Sequence, residues 1–121
     1  MQRTVTLSPN RTMSKYPMTE VIATREFDYS GPAGPAKVLA LLGKPAIMPD
    51  APNRDWYCPY VIEWPKERHE FYAGGMDALQ ALLLGISALR LYLEYVVGRT
   101  GKLTWLGDDD LGIDLVKGPA K

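Results

Sequence analysis

This sequence has a single cysteine and no net charge, and each of these features narrows what the protein can be. The 121 residues contain one cysteine, Cys58, so an internal disulfide is excluded and a reducing, cytosolic location is indicated. Basic and acidic residues number 14 each, so no net charge attracts nucleic acid or an anionic membrane, and nucleic-acid binding is not expected. Residues 1–19 lack the apolar centre of a secretory signal, so none is expected.

The most apolar part of the chain is Met76–Val97, and its pattern predicts one long helix. The segment is long enough to raise the question of a membrane span. However, it carries Asp77, Arg90 and Glu94, and each charge near the centre of a span costs about 2.5–3.5 kcal/mol. Arg90 and Glu94 are also four residues apart, as in a water-exposed helix pair. A membrane span is therefore not expected.

The first 19 residues differ in composition from the rest of the chain. They include three basic residues (Arg3, Arg11 and Lys15) and no acidic one. A flexible tail, a basic arm with a binding role and a first strand over Thr4–Leu7 all fit this pattern. We predict a flexible arm over 1–19 and a single domain over 20–117, because a chain of this length builds one modest core.

Four segments before the helix have the residue pattern of β-strands, and a fifth follows it. Alternating or short apolar runs mark them, and they are Val21–Tyr29, Lys37–Leu42, Asp55–Trp64, Glu67–Ala73 and Lys102–Leu106. Strands followed by one long helix and a closing strand predict an α+β fold. We expect an antiparallel sheet of about four to five strands with the helix packed on one face.

The third and fourth of these segments are predicted to form a hairpin around Pro65-Lys66. In this register the numbers of paired residues sum to 131, which sets Glu63 opposite Arg68 as a favourable charge pair. Pro59 has no backbone N–H for a neighbouring strand. We therefore expect an edge strand, or one that starts at Tyr60.

A helical projection of 76–97 separates core positions from surface positions. One side carries larger apolar residues expected in the core, beside a shoulder of small ones: Leu82, Leu89, Leu93 and Val96, then Ala78, Ala81, Gly85 and Ala88. Leu83, Leu84 and Leu91 instead lie among polar residues, on the face away from the sheet. Either the C-terminal segment or the N-terminal arm covers them, or they form a homodimer interface or a docking surface for another protein.

The chain's one thiol and one histidine are not placed for catalysis. The hairpin register puts His69 opposite Ile62, four residues along the strand from Cys58. That spacing is about 13 Å, far beyond the reach of a nucleophile–base hydrogen bond. No catalytic residues and no cofactor site are predicted.

Three consecutive aspartates, Asp108, Asp109 and Asp110, follow the last predicted strand. Together with Asp114 they do not match an EF-hand loop, and no histidine or cysteine lies near them. No metal site is predicted here. A solvated acidic turn fits the pattern, as does a docking patch for a basic partner, in which the three residues would contact that partner.

Aromatic residues concentrate in 56–72, where acidic and basic residues are interleaved. This mixture does not favour a stacking platform for single-stranded nucleic acid. Tyr57 and Tyr72 are expected to point away from the helix, beside the proline-containing loop 43–55. The cleft between that loop and the sheet is the predicted small pocket or partner site.

At DWYCPYVIEW, FYAGGMDALQALLLGISAL and LTWLG, the chain resembles a family of small uncharacterised bacterial proteins. The resemblance covers roughly residues 20–113 and includes a helix-start motif made by Gly75, Asp77, Gln80, Ala81 and Leu82. The family is a domain of unknown function. The resemblance therefore implies an α+β fold and a bacterial cytosolic setting, and it supplies no functional residues.

These observations predict a non-catalytic protein-interaction module of a bacterial cytosol, similar to an inhibitor or an immunity protein. Its partner is another protein or a second copy of the chain. The alternative is a small-ligand-binding domain or a minor enzyme that uses the cleft beside loop 43–55. A phage-encoded inhibitor of a bacterial defence system is a further alternative.

Overall fold

The structure, a computed structural model, describes residues 11–12 and 14–113, and for 11–12 and 96–100 it describes the backbone alone. The elements are β1 (Arg11–Thr12), β2 (Val21–Gly31), β3 (Gly34–Gly43), β4 (Ala46–Ile47), β5 (Trp56–Glu63), β6 (Arg68–Gly75), α1 (Ala78–Thr100) and β7 (Lys102–Thr104). They form one sheet in the order β1-β6-β5-β3-β2-β7, with β4 beside β5. The predicted α+β class is confirmed. The sheet has seven strands rather than four to five, because two short strands of two residues each, β1 and β4, join the five predicted ones.

The hairpin of β5 and β6 has the predicted register. Trp56 pairs with Gly75 and Glu63 with Arg68, so the numbers of paired residues sum to 131 throughout. Arg68 forms the expected ion pair with Glu63 and a second one, of 3.1 Å, with Glu70. The turn at Pro65-Lys66 therefore determines which side chains of β5 and β6 share a face.

The prediction for Pro59 is wrong, because β5 is a central strand that starts at Trp56. Pro59 is fully buried and lies at a break between two neighbours of β5. On one side of the break Tyr60 pairs with Leu42 of β3, and on the other Tyr57 pairs with Ala46 of β4. A residue without an N–H is tolerated at such a break in the ladder.

Helix α1 starts two residues later than predicted and runs three residues further. Asp77 is the cap before the first helical residue, since its Oδ1 accepts a hydrogen bond from the Gln80 backbone N–H at 2.8 Å. Gln80 Oε1 in turn accepts from the Met76 N–H at 2.7 Å. These two bonds fix the direction in which the chain leaves β6 and enters the helix.

Helix α1 lies mainly over β5 and β6, and the core fills the space beneath it. Leu89 and Leu93 are buried there as predicted, whereas Leu82 is half-buried and the side chain of Val96 lies outside the described residues. Gly85 meets β5 so closely that a Cβ on it would lie 2.7 Å from Cys58 Sγ. The small-residue shoulder thus lets the helix backbone approach the sheet.

The segment after β7 covers the part of the sheet that α1 leaves open. Leu111 is buried in the same core as Phe27 of β2. The Arg25 guanidinium lies 3.7 Å from the centre of the Trp105 ring and donates to the backbone oxygens of Leu111 and Gly112. This C-terminal segment therefore acts as a second cover beside the helix.

The other face of the sheet is partly covered by residues from the predicted arm. Tyr16 is buried, stacks on Tyr57 with ring centres 4.9 Å apart and meets Tyr72 edge-on at 4.8 Å. Its hydroxyl donates to Asp50 in loop 43–55, and Lys15 pairs with the same carboxylate at 3.0 Å. Packing therefore begins before residue 20. Residues 1–10, with the strand considered over 4–7, lie outside the described residues.

Candidate protein-interaction surface

Helix α1 presents large apolar side chains to solvent, and we call this surface its outer face. It consists of Leu79, Leu83, Leu84, Leu91 and Tyr95, whose exposed fractions are 64, 44, 45, 57 and 65%. They account for five of the ten exposed large hydrophobic residues within the described chain. The three leucines singled out from the sequence are thus brought together on one exposed surface. Such concentrations on small proteins mark binding sites more often than scattered apolar residues do.

Neither of the two segments expected to cover these leucines does so within the described residues. The C-terminal segment packs on Arg25, and its Leu111 is buried in the core with Phe27. The arm residues Lys15 and Tyr16 lie on the far side of the sheet, against Tyr57. Residues 114–121 are outside the described part of the chain.

A narrow polar line runs along the middle of the outer face. It contains Gln80, Ser87 and Glu94, spaced seven residues apart. Glu94 accepts a hydrogen bond from Arg90 at 3.4 Å, as expected for an i,i+4 pair, and this exposed pair contributes less than about 1 kcal/mol. Apolar residues therefore flank a weakly charged centre on both sides.

The two tyrosines proposed as a partner site point away from the helix, as predicted. Tyr57 is buried beneath Tyr16, while Tyr72 remains 39% exposed. Tyr57 Oη also donates to the Pro17 carbonyl at 3.3 Å. The site beside loop 43–55 is therefore filled by the chain's own residues, and Tyr57 is not available to a partner.

The three aspartates after β7 are all exposed and serve as turn-forming groups. Asp108 Oδ1 accepts from the Asp110 N–H at 2.9 Å, and Asp110 Oδ1 accepts from the Gly112 N–H at 2.8 Å. Asp109 pairs with Lys102 at 3.3 Å. These bonds shape the turn that places Leu111 in the core. Within residues 11–12 and 14–113, no cluster of three or more potential ligands is arranged to hold a metal ion.

The cysteine and the histidine lie apart, as the register predicts. Cys58 is buried against Gly85, and its thiol donates to the Gly43 carbonyl at 3.5 Å. Burial raises the pKa of this thiol to about 11. His69 Nε2 instead contacts Glu67 Oε1 at 2.8 Å. The thiol is therefore neither ionised at neutral pH nor placed beside a base.

Cys58 is expected to react with a disulfide reagent at pH 8 at least about 100-fold more slowly in the native protein than in the unfolded chain. A pKa near 11 instead of 9.0 leaves that much less thiolate, and burial limits access further. Because the folded-state pKa is the higher one, this group stabilises the fold below pH 9 and loses that effect as pH rises through 11. Stopped-flow labelling measures the ratio, and rapid native labelling would contradict the burial of the thiol.

Two cavities lie beside α1, and neither was predicted. One, of about 250 Å³, is lined by apolar residues such as Ile86, Leu89 and Leu42, together with Gly112 and Ile113 of the C-terminal segment. This cavity lies where two separate covers of the sheet meet. No sequence signal specified that meeting, because it depends on residues far apart along the chain.

The other cavity, of about 530 Å³, lies between the two hairpin turns and the helix. The rings of Tyr29 and Trp64 meet edge-to-face at 5.2 Å, and Trp64 Nε1 donates to Tyr92 Oη at 3.3 Å. His69 and Glu67 also line it. The aromatic concentration in 56–72 was the available signal, but it did not indicate that Tyr29 and Tyr92 would join Trp64. We call this the aromatic pocket.

Residues 23–115 match the family model described as Domain of unknown function (DUF6968). The chain belongs to this family. The match confirms the resemblance to an uncharacterised domain family. No curated protein and no solved structure matches the chain.

The DUF6968 match begins in β2 and extends past the C-terminal segment, so it contains the outer face of α1 and both cavities. Lys15 and Tyr16 lie outside it. Among the helices of the described residues, none combines the length and the hydrophobicity that a membrane-spanning segment needs.

Proposed function

We propose that this DUF6968 protein is a non-catalytic protein-interaction module, and that the outer face of α1 is the surface through which it binds another protein. The observation that carries the proposal is the row of five apolar side chains, each at least 44% exposed, on a helix whose opposite side holds the core residues Leu89 and Leu93. Each of these leucines is already about half-buried, so removing the rest of its side chain from water in a complex would contribute about 0.7–1.5 kcal/mol.

The proposal places the protein with small cytosolic bacterial interaction proteins such as inhibitors and immunity proteins. A phage-encoded inhibitor of a defence system would use the same surface and is the alternative within this class. Two observations support the proposal that the module is non-catalytic. Cys58 is buried and protonated, and it lies apart from His69.

Small-ligand binding is the alternative from another class, and the aromatic pocket favours it. Its volume of about 530 Å³ lies in the range of small-molecule sites, and Tyr29, Trp64 and Tyr92 form part of its wall. However, two of the polar residues in its wall, Glu67 and His69, already contact each other at 2.8 Å. We therefore favour the outer face as the functional surface.

Photo-crosslinking in the native host tests the proposal. A benzoylphenylalanine residue at Leu84 is expected to give a discrete product heavier than the 13.5 kDa chain, because this position would lie inside the contact. The same residue at Ile22, which is also 45% exposed but lies on β2, is the matched control and should give none.

A second variant shows whether the product depends on the outer face. Leu83→Glu/Leu91→Glu should remove the Leu84 product while circular dichroism remains unchanged. Equal products from Leu84 and Ile22, or no product from Leu84, would contradict the proposal.

A further inference from the structure

We infer that the partner of the outer face is a second copy of this chain, and that the two α1 helices lie antiparallel around a two-fold axis beside Ser87. The inference rests on the proposed function, because it names the partner of the same surface. A two-fold interface places the same patch on both copies. The patch must therefore be complementary to itself, and this can be checked residue by residue.

An antiparallel pair centred on Ser87 sets opposite each other residues that lie equally far before and after it. Leu83 and Leu91 lie four residues on either side, so Leu83 of one copy would meet Leu91 of the other across the axis. Leu79 and Tyr95 lie eight residues on either side and would form the next apolar layer. All four are exposed in the single chain, and this layering of one apolar position on another is how antiparallel helices interdigitate.

The polar line is self-complementary in the same arrangement. Gln80 and Glu94 lie seven residues before and after Ser87, so Gln80 of one copy would meet Glu94 of the other. Gln80 Oε1 accepts from the Met76 N–H, and the amide nitrogen of Gln80 carries two N–H donors of its own. The Glu94 carboxylate of the second copy is such an acceptor, and it would be approached by a donor instead of by a like charge.

Arg90 lies three residues after Ser87, and its counterpart three residues before is Leu84. The aliphatic part of an arginine packs against leucine while its charged end remains in water. In this structure the Arg90 guanidinium is directed to Glu94 of its own helix at 3.4 Å. No pair of like charges meets in the antiparallel arrangement.

A parallel pair is disfavoured by the same residues. It would place each residue opposite its own copy, so Arg90 would meet Arg90 and Glu94 would meet Glu94. Like charges directly opposite are destabilising, and parallel helix dipoles repel. Charge therefore selects the antiparallel arrangement.

Ser87 occupies the position nearest the axis. It is small and only half-buried among larger neighbours. A small residue at the crossing point lets two helices approach to the usual 8–10 Å between axes. At that separation the two copies of Ser87 would lie within the Cβ distance that a disulfide requires, roughly 3.5–4.5 Å.

Cysteine crosslinking tests the arrangement in the full chain. Ser87→Cys is expected to convert at least half of the protein to a disulfide-linked dimer under mild oxidation, because two copies of residue 87 meet at the axis. The buried Cys58 does not compete at neutral pH. Glu94→Cys is the matched control and should not link to itself, since its two copies would lie about 21 Å apart. A mixture of Gln80→Cys and Glu94→Cys should link.

The outcomes separate this inference from the proposed function. Self-linking of Glu94→Cys would overturn the antiparallel arrangement. A Leu84 photo-product whose mass is not twice 13.5 kDa would overturn the second copy as the partner and leave the surface in place. Absence of any Leu84 product would instead remove the proposed function itself.

Discussion

Leu93→Ala is expected to lower the free energy of unfolding by about 2–5 kcal/mol, whereas Leu91→Ala, two residues away, should change it by less than about 0.5 kcal/mol. Leu93 is fully buried in the core between α1 and the sheet, and its removal leaves a cavity. Leu91 is 57% exposed on the outer face. The two variants share a helix, a residue type and a lost volume, so the difference between them reports burial alone.

Urea denaturation followed by far-UV circular dichroism measures both values. The protein concentration should be low enough for the single chain to dominate, so that loss of contacts between copies does not contribute. Equal destabilisation by the two substitutions would contradict the assignment of Leu91 to the outer face.

Gly85→Val is expected to destabilise the fold by about 1–3 kcal/mol, although valine normally has the higher helix propensity. A Cβ at residue 85 would lie 2.7 Å from Cys58 Sγ and 3.0 Å from Cys58 Cβ, which forces the helix or β5 to shift. The loss of stability therefore arises from overpacking between residues 85 and 58, and a smaller side chain at either position would relieve it.

A double-mutant cycle checks this origin. Cys58→Ala removes the sulfur, so the cost of Gly85→Val should fall in that background by at least about 0.5 kcal/mol. Additive effects of the two substitutions would mean that residues 58 and 85 do not touch. A Gly85→Val protein as stable as the wild type would contradict the close approach of α1 to β5.

Local patterns predicted the hairpin and the helix. The turn at Pro65-Lys66 alone implied the pairing of Glu63 with Arg68, and the structure confirms it. The helical projection placed Leu89 and Leu93 inside and Leu91 outside, also as found. Registers and helix faces follow from fixed spacings of two and 3.6 residues, so they can be derived without knowing the rest of the fold.

Features that depend on distant parts of the chain could not be derived in this way. The alternation along β2 is interrupted between Val21 and Ala23, where the register against β3 shifts, and Val21 is 45% exposed. Pro59 is tolerated in a central strand only because β3 ends and β4 begins beside it. The shift in β2 has no local signature, and Pro59 signals an interruption in β5 without showing that two strands pair along the same side of it.

The same limit applied to the candidate sites. Tyr57 faces away from the helix as predicted, yet Tyr16 covers it from a segment that composition marked as an arm. The aromatic pocket needed Tyr29 and Tyr92, which lie far from Trp64 in the sequence. The outer face was the feature that local reasoning could locate, because it lies within a single helix.

Sedimentation equilibrium of the wild-type protein beside Leu84→Glu/Leu91→Glu tests the central claim most directly. The control is Val21→Glu/Ile22→Glu, which places two charges on residues that are each 45% exposed but lie on β2. The antiparallel dimer inferred above predicts twice 13.5 kDa for the wild type and the control, and 13.5 kDa for the α1 variant. A wild-type mass of 13.5 kDa, or a dimer that persists in the α1 variant, would contradict it.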